Sequence, residues 1–266
     1  RGADVEVSRI SKMLKHPLAS VPLHKLSSIH VTDYRDSRLK VVSGTTVKKE
    51  LQIISHALEI GGKEWGINKK NVVLDVTKPR EPRGRERRLE GDEERRLLEA
   101  LSDSDNYWIR PLVQLAIETG MRRGEVNGIG LTKEQVGKNG CYGTIFIDHK
   151  TGRKAVHLKK TKNNDDRIVP LSETAEAALA NLDFCPSKYF RHHAYYDSWR
   201  YARDKICPND HTFVSHVCRH TAGTNLASSK YNDTQIGRFL GHKSPLTTKK
   251  YVHEDRETTI QMVDSL

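Results

Sequence analysis

The 266-residue sequence predicts a mainly α protein with one small antiparallel β-sheet, an α+β chain in two domains. Three observations carry that expectation. Apolar residues recur at helical spacing over most of the chain, and a single tract between residues 143 and 170 shortens that period to two. A Pro- and Arg-rich interruption, KPREPRGRERR at residues 78–88, separates two unequal parts. It has no apolar periodicity and reads as an exposed linker, which gives domains 1–82 and 83–266.

Residues 1–76 read as a small helical domain. Val47, Leu51, Ile54 and Leu58 fall at i, i+4, i+7 and i+11, one apolar stripe, and Gly61-Gly62 is expected to stop that helix. An earlier helix is expected around Val31–Leu39, after a turn-rich stretch containing Pro17 and Pro22. Beyond the linker, Leu112, Leu115, Ala116 and Thr119 make a helical face closed by Gly120. TIFI, AVHL and RIVPL are short β-rich runs, the first two separated by the turn-like HKTGRK, and predict two or three antiparallel strands. Helical text resumes at Ser172 and recurs at Asp197–Lys205, Val214–Ser228, Asp233–Leu240 and Pro245–His253. In the last of these, Ser244 reads as an N-cap and Pro245 as the first helical residue, which puts Tyr251 about two turns in.

The chain carries 45 Lys+Arg against 34 Asp+Glu, a formal charge of +11, which suits a polyanionic partner. Residues 1–82 hold 15 basic and 9 acidic residues, so the first third is the more basic by density. The linker arginines Arg80, Arg83 and Arg85, with Lys48 and Lys49, are the candidate phosphate contacts there. The four cysteines form no C-x-x-C pair, and no secretory signal is present, so reduced thiols in a cytoplasmic protein are expected. Cys207, His211, His216, Cys218 and His220 crowd together, but their spacing matches no zinc pattern, and no metal or cofactor is expected. No apolar run approaches the ~20 residues of a membrane span. The chain opens on Arg1 rather than Met, as a portion of something longer would.

Cleaving a phosphodiester with a side-chain nucleophile sets specific demands. The pentacovalent transition state gains negative charge, so fixed cations or donors must converge on its oxygens. Arginine suits that task, being permanently charged and able to bond two oxygens at once. A tyrosine nucleophile, with a pKa near 10, needs a base or a strongly positive site, and the leaving sugar oxygen needs a proton donor. The sequence offers each part. ETGMRRGEV (118–126) puts Arg122 just past a glycine helix terminus with Glu125 one turn on, and HVCRH (216–220) sets His216 and Arg219 three apart on one helical face. KTKNNDDRIVPL (160–171) offers lysines at a strand turn, GHK (241–243) a further histidine, and Tyr251 follows. Singly, each of these is ordinary surface chemistry.

Together and in this order they resemble the tyrosine recombinases, the phage integrase family. T-G-M-R-R-G-E follows that family's T-G-x-R-x-x-E box, which selects Arg122 over Arg123 and adds Gly120 and Glu125 as supporting residues. L-G-H with tyrosine nine residues after the histidine is its closing arrangement. The family's lysine lies eight residues before the proline ending the next strand, which gives Lys162 rather than Lys159 or Lys160. The resemblance implies a helical core-binding domain joined to a tyrosine-recombinase-type catalytic domain. It implies Tyr251 as nucleophile forming a 3′-phosphotyrosine, with Arg122, Arg219 and His242 on the non-bridging oxygens. His216 would assist proton transfer at the tyrosine and Lys162 would protonate the leaving oxygen, with no ATP or metal. The implied partners are double-stranded DNA with paired recombination sites and a homo-tetramer on it, with room for an accessory DNA-bending protein, in the cytoplasm or nucleoid of a bacterial host. Integration or excision of a phage or mobile element is the implied task. A type IB topoisomerase-like relaxing enzyme and a DNA-binding regulator with vestigial catalytic groups are the competing readings.

Overall fold

The computed structural model describes residues 3–67, 69–80, 87–135, 140–161, 165–229 and 231–248. Lys162, Tyr251, Arg83 and Arg85 therefore lie outside the described residues. The chain divides into two compact units, Arg1–Gly84 and Arg85–Leu266.

The first unit holds helices α1 (Ala3–Met13), α2 (Ser28–Leu39) and α3 (Gly44–Glu64), with a 3-10 turn at Val72–Asp75. The stripe on α3 does what its spacing demands: Val47 and Leu51 are buried, Ile54 and Leu58 pack at the margin, and Val31, Tyr34, Val72, Val73 and Val76 close the core. Contrary to the sequence expectation, α3 runs through Gly61-Gly62 to Glu64. A glycine inside a helix costs only about 1 kcal/mol, and Gly61 has a packing reason to be there. Ile67 folds back so closely that a Cβ on Gly61 would stand 3.2 Å from its Cδ1, and the Ile67 N–H bonds the Gly61 carbonyl at 3.0 Å. One carboxylate, Glu50, is buried in this core. It accepts the Tyr34 hydroxyl at 2.8 Å and a two-pronged bond from Arg38 at 2.8 and 3.0 Å. Burial pushes its pKa up, but the Arg38 and Tyr34 bonds outweigh that and hold it below the usual carboxylate range.

In the second unit α4 (Glu93–Ser102), α5 (Ile109–Thr119) and the single turn α6 (Arg123–Val126) precede the sheet. Strands β1 (Tyr142–Ile147), β2 (Lys154–Lys159) and β3 (Arg167–Pro170) are antiparallel in that order, with Tyr142 opposite Lys159 and Leu158 opposite Arg167. Helices α7 (Glu173–Ala180), α8 (His192–Ile206), α9 (Val217–Ser228), α10 (Asp233–Leu240) and α11 (Pro245–Thr248) complete the described part. The chain is thus mainly helical with one small sheet, the predicted fold class.

Helix α5 is the centre of this unit. It packs on α4, α7 and α9, and its buried Leu112, Val113, Leu115 and Ile117 share one core with Val156, Leu158 and Val169 of the sheet and Leu179 of α7. Helix α10 is fixed at its start by a reciprocal cap, in which the Asn232 carboxamide accepts from the Gln235 N–H and the Gln235 side chain from the Asn232 N–H, each at 3.0 Å. It then packs on α9 and α11. One arginine at the linker's end, Arg87, is not a free strap. Arg87 is four-fifths buried, bonds Glu93 with both Nη atoms (2.8 and 2.5 Å) and Asp210 at 3.0 Å, and stacks 5.0 Å over Phe213. Its guanidinium holds Glu93 down to about 2.

Candidate active site

The site begins where α5 ends. Gly120 takes a left-handed conformation (φ +58°), and a Cβ there would lie 2.6 Å from Leu240 Cδ2 and 3.1 Å from Ala222 Cβ. Only a residue without a side chain lets α5, α9 and α10 converge this closely. Two residues on, the backbone of Arg122 is extended (φ −69°, ψ 147°) and opens α6.

Glu125, 2% exposed, organises the next layer. Its carboxylate accepts the Arg122 N–H at 2.8 Å, Arg122 Nη1 at 2.9 Å and Arg167 Nη2 at 2.7 Å. A buried carboxylate needs such a set of donors to stay charged. Here two guanidiniums share one negative charge, so the cluster keeps a positive surplus.

Arg219, 3% exposed on α9, spends its fork on backbone. Nη1 donates to the Gly120 carbonyl at 2.7 Å and Nη2 to the Leu240 carbonyl at 2.5 Å. These carbonyls stand at the C-terminal ends of α5 and α10, where helices lack internal donors and carry partial negative charge. One cation thereby ties two helix ends. Five N–H donors in one plane allow such a fork to serve two carbonyls and an anion together.

His216 stands exposed at the N-cap of α9, one position outside the regular helix, with its ring 5.0 Å from His220. It lines one cavity with Arg122, Arg123, Ser215 and Arg219. His242 follows the left-handed Gly241 (φ +68°) that ends α10, and its Nδ1 is 2.9 Å from the buried Thr248 hydroxyl. Burial, then the charges of Arg219, Arg122 and Arg167, push its pKa down to about 4. It is therefore a neutral imidazole at neutral pH, able to donate a hydrogen bond without adding charge.

The tip between β2 and β3 is described only at its flanks. The Thr161 hydroxyl bonds the Asp165 carbonyl at 2.8 Å, the Lys160 N–H bonds Asp166 at 3.2 Å, and Lys243 of the GHK turn reaches Asp165 at 3.3 Å. In the first unit, Lys49 and Arg80 are exposed, and Lys48 lines a groove with Gln52, His56 and Lys78.

Sequence reasoning missed Arg167. Its side chain is 9% exposed, bonds Glu125, and donates from Nη1 to the Phe239 carbonyl at 2.7 Å. The signal was present: a strand alternates, so Arg167 shares the inward face with buried Val169, an unusual place for a charge. Among the described residues no group of three His, Cys, Asp or Glu could hold a metal ion, and no helix is long and apolar enough to cross a membrane.

A cluster of arginines and histidines around one carboxylate, set at the ends of converging helices, defines an anion-binding site on an integrase-like fold. The chain belongs to the phage integrase family, whose sequence pattern matches residues 87–183 and 186–258. It is 31% identical over 265 residues to the shufflon-specific DNA recombinase of Escherichia coli, covering 95% of this chain and 64% of that protein. It is 32% identical over 192 residues to a putative integrase/recombinase of Haemophilus influenzae, covering 68% of this chain and 48% of that one. The chain thus spans between about half and two thirds of these relatives. Among solved structures, the Tn1549 transposon integrase in complex with a circular intermediate DNA aligns over 100% of this chain and 94% of its own, with TM-score 0.72 at 16% identity. A lambda integrase tetramer bound to a Holliday junction aligns over 94% and 72%, with TM-score 0.63 at 17% identity.

Proposed function

We propose that this protein is a site-specific recombinase that cuts and rejoins double-stranded DNA through a covalent 3′-phosphotyrosine. The observation that carries the reading is the shared cavity of Arg122, His216 and Arg219, with His242 near enough that, beside its burial, the Arg219 and Arg122 charges lower its pKa. Tyr251 attacks the scissile phosphorus, forming the tyrosyl–phosphate bond and breaking the bond to the 5′-oxygen. Its proton leaves with help from His216, and Lys162 gives one to the departing 5′-oxygen. Arg122, Arg219 and His242 hold the non-bridging oxygens. Because the phosphotyrosine conserves the bond energy, a 5′-hydroxyl of another strand reverses the step without ATP. The working assembly is a tetramer on paired sites, acting in integration or excision of a mobile element, with residues 1–82 gripping the DNA.

The test is to incubate the chain with paired-site DNA, denature, and assay first for a covalent adduct and then for strand exchange. A recombinase gives both. Adduct and relaxation without exchange would mean a topoisomerase-like enzyme, and no adduct would mean a regulator.

Two expected results bear on particular residues. Replacing Lys48, Lys49 and Arg80 together by alanine should flatten the log–log salt dependence of DNA binding by about 0.9 for each side chain that meets a phosphate. An unchanged slope would remove them from the interface. Lys162→Ala should cleave ordinary DNA about 10² to 10⁴ times more slowly, as loss of a positioned acid does. It should recover when sulfur replaces the bridging 5′-oxygen, since a thiolate departs unprotonated. If Lys160→Ala shows the defect and the rescue instead, the acid moves two residues.

A further inference from the structure

Arg167 bonds two walls of the site at once. Glu125 belongs to the start of α6 and orients Arg122, while the Phe239 carbonyl belongs to the last turn of α10, just before Gly241-His242. Two nitrogens of one rigid plane make these bonds, at 2.7 Å each, so the guanidinium sets the spacing between the walls. The turn lies directly on it: a Cβ on Gly241 would be 2.9 Å from Arg167 Nη1 and 3.0 Å from its Cδ. Among the described residues its buried Nε has no partner, so the side chain is held by these two contacts. Burying a cation this deeply is costly, and burial duly lowers its pKa. A purely structural strut between a strand and a helix end could have been apolar.

We infer that Arg167 is a positioning residue for the strand-cutting reaction, acting through Glu125 on Arg122 and through the Phe239 carbonyl on the Gly241-His242 turn. The inference rests on the function proposed above. Its electrostatic part is simple. With Arg167 present, Glu125 is shared by two cations, and Arg122 keeps a surplus of positive charge for the phosphate. Without it, Arg122 and Glu125 make a neutral pair, and the non-bridging oxygens lose stabilisation as their charge develops.

The experiment follows covalent adduct formation in a single turnover on a nicked DNA substrate, over a range of protein concentrations, for the unaltered chain, Arg167→Met and Arg167→Lys. Each is run on ordinary DNA and on DNA whose scissile phosphate is a methylphosphonate. That group has a methyl in place of one non-bridging oxygen and so carries less charge to be stabilised. Arg167→Met should react about 10²-fold more slowly on ordinary DNA at saturation, the size of losing one charge-stabilising donor. Its half-saturating concentration should stay within about threefold, because binding energy spread over many phosphate contacts is untouched. On the methylphosphonate its deficit should shrink at least about tenfold, since there is one negative charge fewer to balance. Arg167→Lys should be intermediate: one ammonium can neutralise Glu125 but cannot bond both acceptors from separate nitrogens. It also carries the test should Arg167→Met not yield folded protein. A saturating rate equal to the unaltered chain's, a loss confined to half-saturation, or equal deficits on both substrates would overturn the inference. Absence of adduct from the unaltered chain itself would instead overturn the proposed function.

Discussion

Tyr251→Phe is expected to bind DNA as tightly as the unaltered chain and to form no covalent adduct. One hydroxyl among many phosphate contacts contributes little to an affinity dominated by counterion release. In the proposed reaction the same hydroxyl is the atom that bonds to phosphorus, so its loss should remove the chemistry outright. Denaturing electrophoresis of protein mixed with end-labelled DNA reads the adduct, and a salt titration of binding serves as the control. Adduct surviving in the variant would move the nucleophile elsewhere, with Tyr231 the nearest tyrosine in sequence to examine.

Arg219→Ala should be doubly damaging. In the proposed reaction it removes one donor to the developing charge, which should slow cleavage by about 10² to 10³. It also strands the Gly120 and Leu240 carbonyls, each left unbonded at about 1–3 kcal/mol. At roughly 2–4 °C per kcal/mol for a unit of this size, the melting temperature should fall by several degrees. Arg219→Lys should keep part of the stability but little of the rate, since an ammonium cannot span two helix ends and a phosphate together. The checks are calorimetry and single-turnover cleavage on the same preparations. An Arg219→Ala variant that melts normally would contradict the tie between α5 and α10, and one that cleaves normally would remove Arg219 from the phosphate.

The fold class was legible because its two periods are clean. The stripe Val47–Leu51–Ile54–Leu58 and the alternating strands before Pro170 leave little choice of structure. Helix α4 was harder to see, since its first turn, Glu93-Glu94-Arg95-Arg96, continues the charge-rich text of the linker and hides Leu97, Leu98 and Leu101 behind it. Arg87 misleads for the same reason: in a row of arginines, nothing local says which one folds back onto Glu93 and Phe213. In the site, short-range motifs name Arg122, His216, Arg219 and His242. Arg167 belongs to no such motif, and its partners lie 42 and 72 residues away, so only the folded chain reveals what it touches.

Apart from the Arg167–Glu125 pair, the bonds described for Arg219 and Arg167 take hold of main-chain oxygens, at Gly120, Phe239 and Leu240. A carbonyl is supplied by whatever residue occupies the position, so drift at 239 or 240 can change a side chain without removing the atom the arginine grips. The clamp therefore has few pairs that must mutate in concert. Its intolerance gathers at Gly120 and Gly241, where any added carbon strikes a neighbour. Under the proposed function, a lineage carrying this arrangement is free to rewrite the surfaces that would choose a DNA sequence while leaving the cutting geometry alone, and selection for new target sites would act on those surfaces one substitution at a time.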